Sequence, residues 1–124
     1  MIPDLCSYNL SIIIPVYNDQ EVLHELHKRL KAVLPGLASK HEIIFIDDGS
    51  RDRSFTILKE IAKKVPVVRV IKLARNFGQQ NSISAGMDHA KGDIIVLMDS
   101  DLQDRPEDIH LLLEAMERDD TDLA

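Results

Sequence analysis

Apolar residues along this chain follow two periods in alternation. The run LSIIIPVYN at 10–18 sets three isoleucines in succession ahead of a proline, a composition that suits a buried β-strand and not a helix start. From Asp19 to Leu34 the spacing becomes helical, with Val22, Leu23, Leu26, Leu30, Val33 and Leu34 on one stripe. Asn18 or Asp19 stands where a cap is needed, and Pro35 and Gly36 are expected to stop the helix. EIIFID at 42–47 predicts a second strand, followed by the loop DDGSRD and a helix whose inward face holds Phe55, Leu58, Ile61 and Ala62. VVRVIKL at 67–73 predicts a third strand. The polar connection ARNFGQQNS then leads into a helix from about Gln80 to Ala90, expected to bury Ile83, Met87 and Ala90, with Gly92 ending its tail. DIIVLMD at 93–99 predicts a fourth strand. Beyond an acidic turn, Pro106 takes the first position of a last helix carrying Ile109, Leu112, Leu113 and Met116.

Four repeats of strand then helix, with nearly continuous apolar strands, predict an α/β fold: a mostly parallel sheet covered by helices on both faces. Residues 1–124 read as a single domain, with no internal repeat and no linker. In such sheets ligands bind outside the carboxyl ends of the strands, where the strand order reverses. With the order 3-2-1-4, that reversal brings PVYND, at the end of the first strand, beside DSDLQD, at the end of the fourth.

Composition narrows the function classes. Apolar residues make up 44% and charged residues 29%, the balance of a soluble globular chain. No apolar run reaches the roughly 20 residues of a membrane-spanning helix, and the first residues lack the pattern of a secretory signal, so cytoplasm is the expected location. A net charge of -6, with 21 acidic against 15 basic residues, argues against nucleic acid as partner. The modest basic group of Arg69, Lys72 and Arg75 alternates with Val70, Ile71 and Leu73 as the outer face and end of a strand. Cys6 is the only cysteine and is assigned no role, and the five histidines show no metal-cage or nucleophile–base spacing.

The unusual polar residues gather at the strand ends. Asp99 and Asp101, separated by Ser100, can both reach one point, with Gln103 adding a neutral oxygen. Hard divalent cations such as magnesium or manganese favour that oxygen set and complete their shell with water and phosphate oxygens. The alternative is that Asp99 simply ends a strand while Asp101 or Asp104 caps the next helix. DDGS offers the same choice. Asp48 can accept from a base N–H or a ribose hydroxyl while Gly49 lets backbone come close, or Asp-Gly is ordinary turn chemistry with Ser50 or Asp52 as a cap. Tyr17 at the rim can support the face of a base or pack internally, and Arg75 can touch phosphate or remain solvated. No glycine-rich phosphate loop follows the first strand, so dehydrogenase and P-loop readings find no support.

Taken in order, LSIIIPVYND, EIIFIDDGSRDRS, LARNFGQQNSISAGMDHAKGD and IIVLMDSDLQDRPEDI resemble the nucleotide-binding half of a family 2 glycosyltransferase of the GT-A fold. The resemblance is to the polyprenyl-phosphate group, which includes dolichol-phosphate mannosyltransferases and undecaprenyl-phosphate glucosyl- and aminoarabinosyl-transferases. It spans about Leu10 to Ile109 and implies that Pro15, Tyr17 and Asp19 border the nucleotide and that Ile46 and Asp48 contact base and ribose. It further implies that Asp99, Ser100 and Asp101 address the diphosphate, with Asp99, Asp101 and Gln103 at a Mg2+ or Mn2+ ion. The implied reaction is an inverting transfer from a UDP- or GDP-linked sugar to a polyprenyl phosphate at the cytoplasmic membrane surface, in cell-envelope glycan assembly. An anionic acceptor makes a protein base dispensable, and none is assigned. The chain departs from the family pattern at Ser100, usually alanine, at Arg105-Pro106, usually Pro-Pro, and at Asp19, more often glutamate. The family's catalytic domain continues well past the last helix, so the resemblance implies a donor-binding part truncated at the C-terminus, retaining donor binding at most. An uncovered fourth strand would favour self-association.

Two other classes share the architecture. A phosphoacceptor signalling domain also gathers aspartates around magnesium, but its acidic pair should follow the first strand, where this chain has PVYN. A non-catalytic module binding nucleotide sugars would share every residue named above.

Overall fold

The computed structural model describes residues 9–38, 40–76, 78–101 and 105–119, the side chains of 116–119 excepted. Gln103 and Asp104, expected at the acidic turn, lie outside the described residues, as do Cys6 and the side chain of Met116. The elements run β1 (Asn9–Val16), α1 (Leu23–Leu37), β2 (Lys40–Asp47), α2 (Ser54–Lys64), β3 (Val68–Lys72), α3 (Gln79–His89), β4 (Ile94–Leu97), a 3-10 turn (Pro106–Asp108) and α4 (Ile109–Asp119). All pairings are parallel and the order is β3-β2-β1-β4, as expected. The central strands are buried on both faces because helices cover both, which is why they read as unbroken apolar runs.

Alternation along β1 divides the core. Ile12, Ile14 and Val16 join Ile43, Phe45 and Val96 under Leu23, Leu26, Leu30 and Leu34 of α1, Leu58 and Ile61 of α2, and Ile109 and Leu113 of α4. On the opposite face Ile13, Ile44 and Ile46 form a smaller cluster. There α3 sits close. A Cβ at Gly86 would lie 2.6 Å from Ile13 Cγ2 and 2.8 Å from Ile46 Cδ1, so the helix turns its small residues, Ser82 and Gly86, to the sheet. This corrects the expected stripe: Ile83 is half-buried and Met87 is 41% exposed, because the isoleucines beneath leave no room for them. Leu112, expected in the last core stripe, is likewise exposed, along with Leu111.

Other local expectations also change. Helix α1 begins after a turn in which Val22 N–H donates to Asp19 O, with no side-chain cap from Asn18 or Asp19. Pro35 does not stop it, since a proline near the last turn forfeits one donor and Ala38 N–H still closes on Leu34 O. Helix α3 ends at His89, three residues before Gly92. Gly92 is instead needed for close approach, its N–H donating to Ser11 Oγ at 2.9 Å where a Cβ would sit 2.5 Å from that oxygen. Phe55 is half-buried, with the Lys72 ammonium 4.5 Å from its ring centroid.

At the amino end of the sheet, Glu42 gathers the Lys91 N–H (2.7 Å), the Ser11 hydroxyl (2.7 Å) and the Arg69 guanidinium (3.0 Å). Burial pushes this carboxyl up, but those hydrogen bonds and the Arg69 charge outweigh it and hold it below the usual value. A hollow of about 220 Å³ beside it is lined by Asn9, Lys40, His41 and Lys91 among others. None of the expected site residues among the described ones lies at this end. No helix of the described residues is long and apolar enough to cross a membrane.

Candidate functional site

Two of the four carboxyl-end loops are sewn together by side chains. Asn18, at φ 53°, donates its N–H to Ser50 Oγ at 3.0 Å and accepts Arg51 N–H on Oδ1 at 2.8 Å. Asp19 N–H donates to the buried Ser54 Oγ at 2.9 Å. Gln20 N–H reaches Asp52 Oδ2 at 3.2 Å, and Gln20 Oε1 accepts Arg53 N–H at 3.0 Å. The residues after β1 and those before α2 therefore form one ladder, which positions Tyr17 and Asp19. Asp52 also accepts Ser54 N–H at 2.8 Å in a local turn, but the cap position of α2 falls to Arg53 and carries no side-chain cap bond, so Asp52 is not the cap expected of it. Burial raises the Asp52 carboxyl less than the Ser54 and Gln20 donors lower it, leaving it below its usual value. Ser50 is committed to Asn18 in place of a cap.

Asp48 continues the chain from β2 and is 5% exposed. Its N–H donates to Val16 O at 2.8 Å, and its Oδ2 accepts Gly78 N–H at 3.1 Å. Gly49 makes this possible. It has φ +75°, and a Cβ there would lie 2.4 Å from Asn76 N and 2.5 Å from Arg75 C, so the loop before α3 crosses directly over it. The next residue, Gln79, donates from Nε2 to Asp99 Oδ1 at 3.2 Å. Across the reversal point, the Ser100 hydroxyl donates to Asp19 Oδ2. All four loops are thus joined by contacts that include Asp19, Asp48, Asp99 and Ser100.

The remaining expected residues are placed as follows. Pro15 lies half-buried in β1 opposite Ile46. Tyr17 is 41% exposed just beyond β1. Asp101 is exposed one residue after Ser100, which is 4% exposed. The Ile46 side chain is fully buried in the cluster beneath α3, so it faces the core and not the rim. A polar hollow of about 250 Å³ is lined by residues 18–22 and Asp52, and of the expected residues it includes Asp19 alone.

Sequence reasoning gave no role to Gly78 and Gln79, which lay inside a polar connection that entered only through the family resemblance, or to Ser54. It also passed over Asp47. That carboxylate is fully buried at the end of β2, and neither oxygen has a hydrogen-bond partner among the described residues.

Among the described residues no group of three or more His, Cys, Asp or Glu side chains is placed to hold a metal ion.

The chain is 48% identical over 108 residues to "Uncharacterized glycosyltransferase YkcC" of Bacillus subtilis, covering 87% of this chain and 32% of that one. It is 46% identical over 111 residues to an undecaprenyl-phosphate 4-deoxy-4-formamido-L-arabinose transferase of Edwardsiella ictaluri, covering 88% and 34%. It therefore spans about a third of the length of these relatives. Among solved structures, the fold is shared with the mannosyltransferase PcManGT of Pyrobaculum calidifontis in complex with GDP-Man and Mn2+ (TM-score 0.69, 21% identity, 77% of this chain and 28% of that one). It is also shared with S. aureus TarS 1–349 in complex with UDP-GlcNAc (TM-score 0.68, 23% identity, 88% and 32%). The profile described as Glycosyl transferase family 2 matches residues 11–124, nearly the whole chain, and the protein belongs to that family.

Proposed function

We propose that this chain forms the donor-binding part of a metal-dependent, inverting glycosyltransferase that takes a sugar from a nucleoside diphosphate to a polyprenyl phosphate. The observation that carries the reading is the linkage of all four carboxyl-end loops, through Asp19–Ser100, Asp48–Gly78 and Gln79–Asp99. The names of the undecaprenyl-phosphate relatives support the acceptor class, and with it a working location at the cytoplasmic membrane surface. The GDP-Man and Mn2+ complex supports the donor class and the ion.

In this reading Tyr17 supports the base, and Asp48 accepts from base or ribose while its second duty, to Gly78, holds the loop before α3 in place. Asp99 and Asp101 would hold Mg2+ or Mn2+, with Gln103 assisting. Such an ion offsets charge on a departing diphosphate when bound. Asp19, fixed by Ser54 and Ser100, borders the nucleotide. No residue is assigned as general base, since a phosphate acceptor is already anionic near neutral pH.

Titration calorimetry of UDP- and GDP-linked sugars, with and without Mn2+, tests the reading. It predicts binding that Mn2+ tightens and that Asp101→Ala weakens. Binding indifferent to both would contradict it.

A further inference from the structure

Residues 78 and 79 are adjacent, yet they serve carboxylates on strands that do not touch. Asp48 follows β2 and Asp99 follows β4, with β1 between them in the sheet. Gly78 N–H donates to Asp48 Oδ2 at 3.1 Å, shared with Asn76 Oδ1 at 3.0 Å, and Gln79 Nε2 donates to Asp99 Oδ1 at 3.2 Å. The start of α3 thus spans the rim from the nucleoside end of the proposed site to its diphosphate end. Beneath it, Gly86 lets the helix settle against Ile13 and Ile46, which fixes the height at which Gln79 is presented.

The chemistry of the donor matters. A lysine or arginine here would pair with Asp99 as a counter-ion and compete with an incoming cation. A carboxamide orients one oxygen of the carboxylate without cancelling its charge. Outer partners of this kind fix the geometry of metal-binding carboxylates, and their loss typically weakens metal affinity by about 10–100-fold.

We infer that Gln79 is a positioning residue for Asp99, a neutral clamp that sets the carboxylate for a divalent cation and couples that setting to the Asp48 end through Gly78. The inference rests on the donor-site reading above and adds a residue to it. It is tested by the factor by which Mn2+ tightens binding of UDP or GDP to the 124-residue chain, read by calorimetry in the parent, Gln79→Ala, Gln79→Lys and Asp99→Asn. Gln79→Ala is expected to cut that factor by about tenfold or more. Gln79→Lys is expected to cut it further, the extra loss shrinking as salt is raised. Gln79 is exposed at the first position of α3, and alanine is the better helix former, so a merely structural role leaves the factor unchanged and the melting temperature equal or higher. That result, with Asp99→Asn still abolishing the Mn2+ effect, overturns the clamp and leaves the donor site standing. A parent chain whose nucleotide binding ignores Mn2+ overturns the donor site itself, and the clamp with it.

Discussion

Replacing Gly49 by alanine is the sharpest probe of how the rim is built. The residue has φ +75°, a conformation that costs an L-residue about 1–2 kcal/mol. The new methyl would also sit 2.4 Å from Asn76 N and 2.5 Å from Arg75 C. Both atoms are backbone, so neither can swing aside as a side-chain tip would, and residues 75–78 must lift. Lifting them breaks the Gly78 N–H bond to the Asp48 carboxylate, a hydrogen bond to a charged acceptor worth about 1.5–3 kcal/mol. Together the two effects amount to about 2.5–5 kcal/mol, a large part of the roughly 5–15 kcal/mol by which a domain is stable. Urea denaturation followed by far-UV circular dichroism should show a midpoint lower by roughly 1 M or more, with little change in slope. Gly36→Ala is the matched control: a Cβ there meets nothing within 4 Å, and alanine in α1 should stabilise by about 0.5–1 kcal/mol. A Gly49→Ala chain within about 0.5 kcal/mol of the parent would refute the crossing of the two loops.

Ser100→Ala and Asp19→Ala, combined in a double-mutant cycle, should show a coupling of about 1.5–3 kcal/mol in unfolding free energy, because a buried hydroxyl donates to the carboxylate. Coupling near zero would mean that the loops after β1 and β4 are independent. Asp47→Leu replaces a fully buried carboxyl group that has no hydrogen-bond partner among the described residues by an apolar side chain of similar volume, so it should raise stability by about 1 kcal/mol or more. A loss of stability in that variant would contradict the isolation of the carboxylate. Stability should also fall with pH in two stages. Burial, then Lys31 and His24, hold His27 below its usual value, so the unfolded chain takes up the proton first and stability declines from about pH 6.5 downward. Glu42, also held low in the folded chain, adds a decline from about pH 4.3 downward. His27→Gln should remove the upper stage and Glu42→Gln the lower, as read by denaturation midpoints across pH; a parent profile flat from about pH 7 to about pH 3 would contradict both.

Much of the fold could be read from local pattern, because each strand is a short apolar run and each helix has one stripe. Ile12, Ile13 and Ile14 ahead of Pro15, and Leu26, Leu30 and Leu34 at helical spacing, admit few other readings. The strand order was taken as the common one for such sheets, and with that order the reversal point falls between DSD and PVYND. The misplaced details share one cause: they depend on what lies opposite. Nothing within α3 reveals that Ile13 and Ile46 crowd its underside and turn Ser82 and Gly86 inward in place of Met87. Likewise the ladder between residues 18–20 and 50–54 joins positions more than 30 apart in sequence, and its members looked locally like caps. Gln79 was hidden for the same reason, since its partner is 20 residues away in the loop after β4.

The central claim is that loops after all four strands form one donor site, and paramagnetic broadening measures that convergence directly. Amide spectra of the 15N-labelled chain would be recorded with UDP or GDP and trace Mn2+. Tyr17, Asp48, Ser100 and Asp101 should broaden together, while Lys40, Glu42 and Lys91 at the amino end of the sheet stay sharp. Broadening confined to the Asp99–Asp101 turn, or centred on the amino end, would contradict the account.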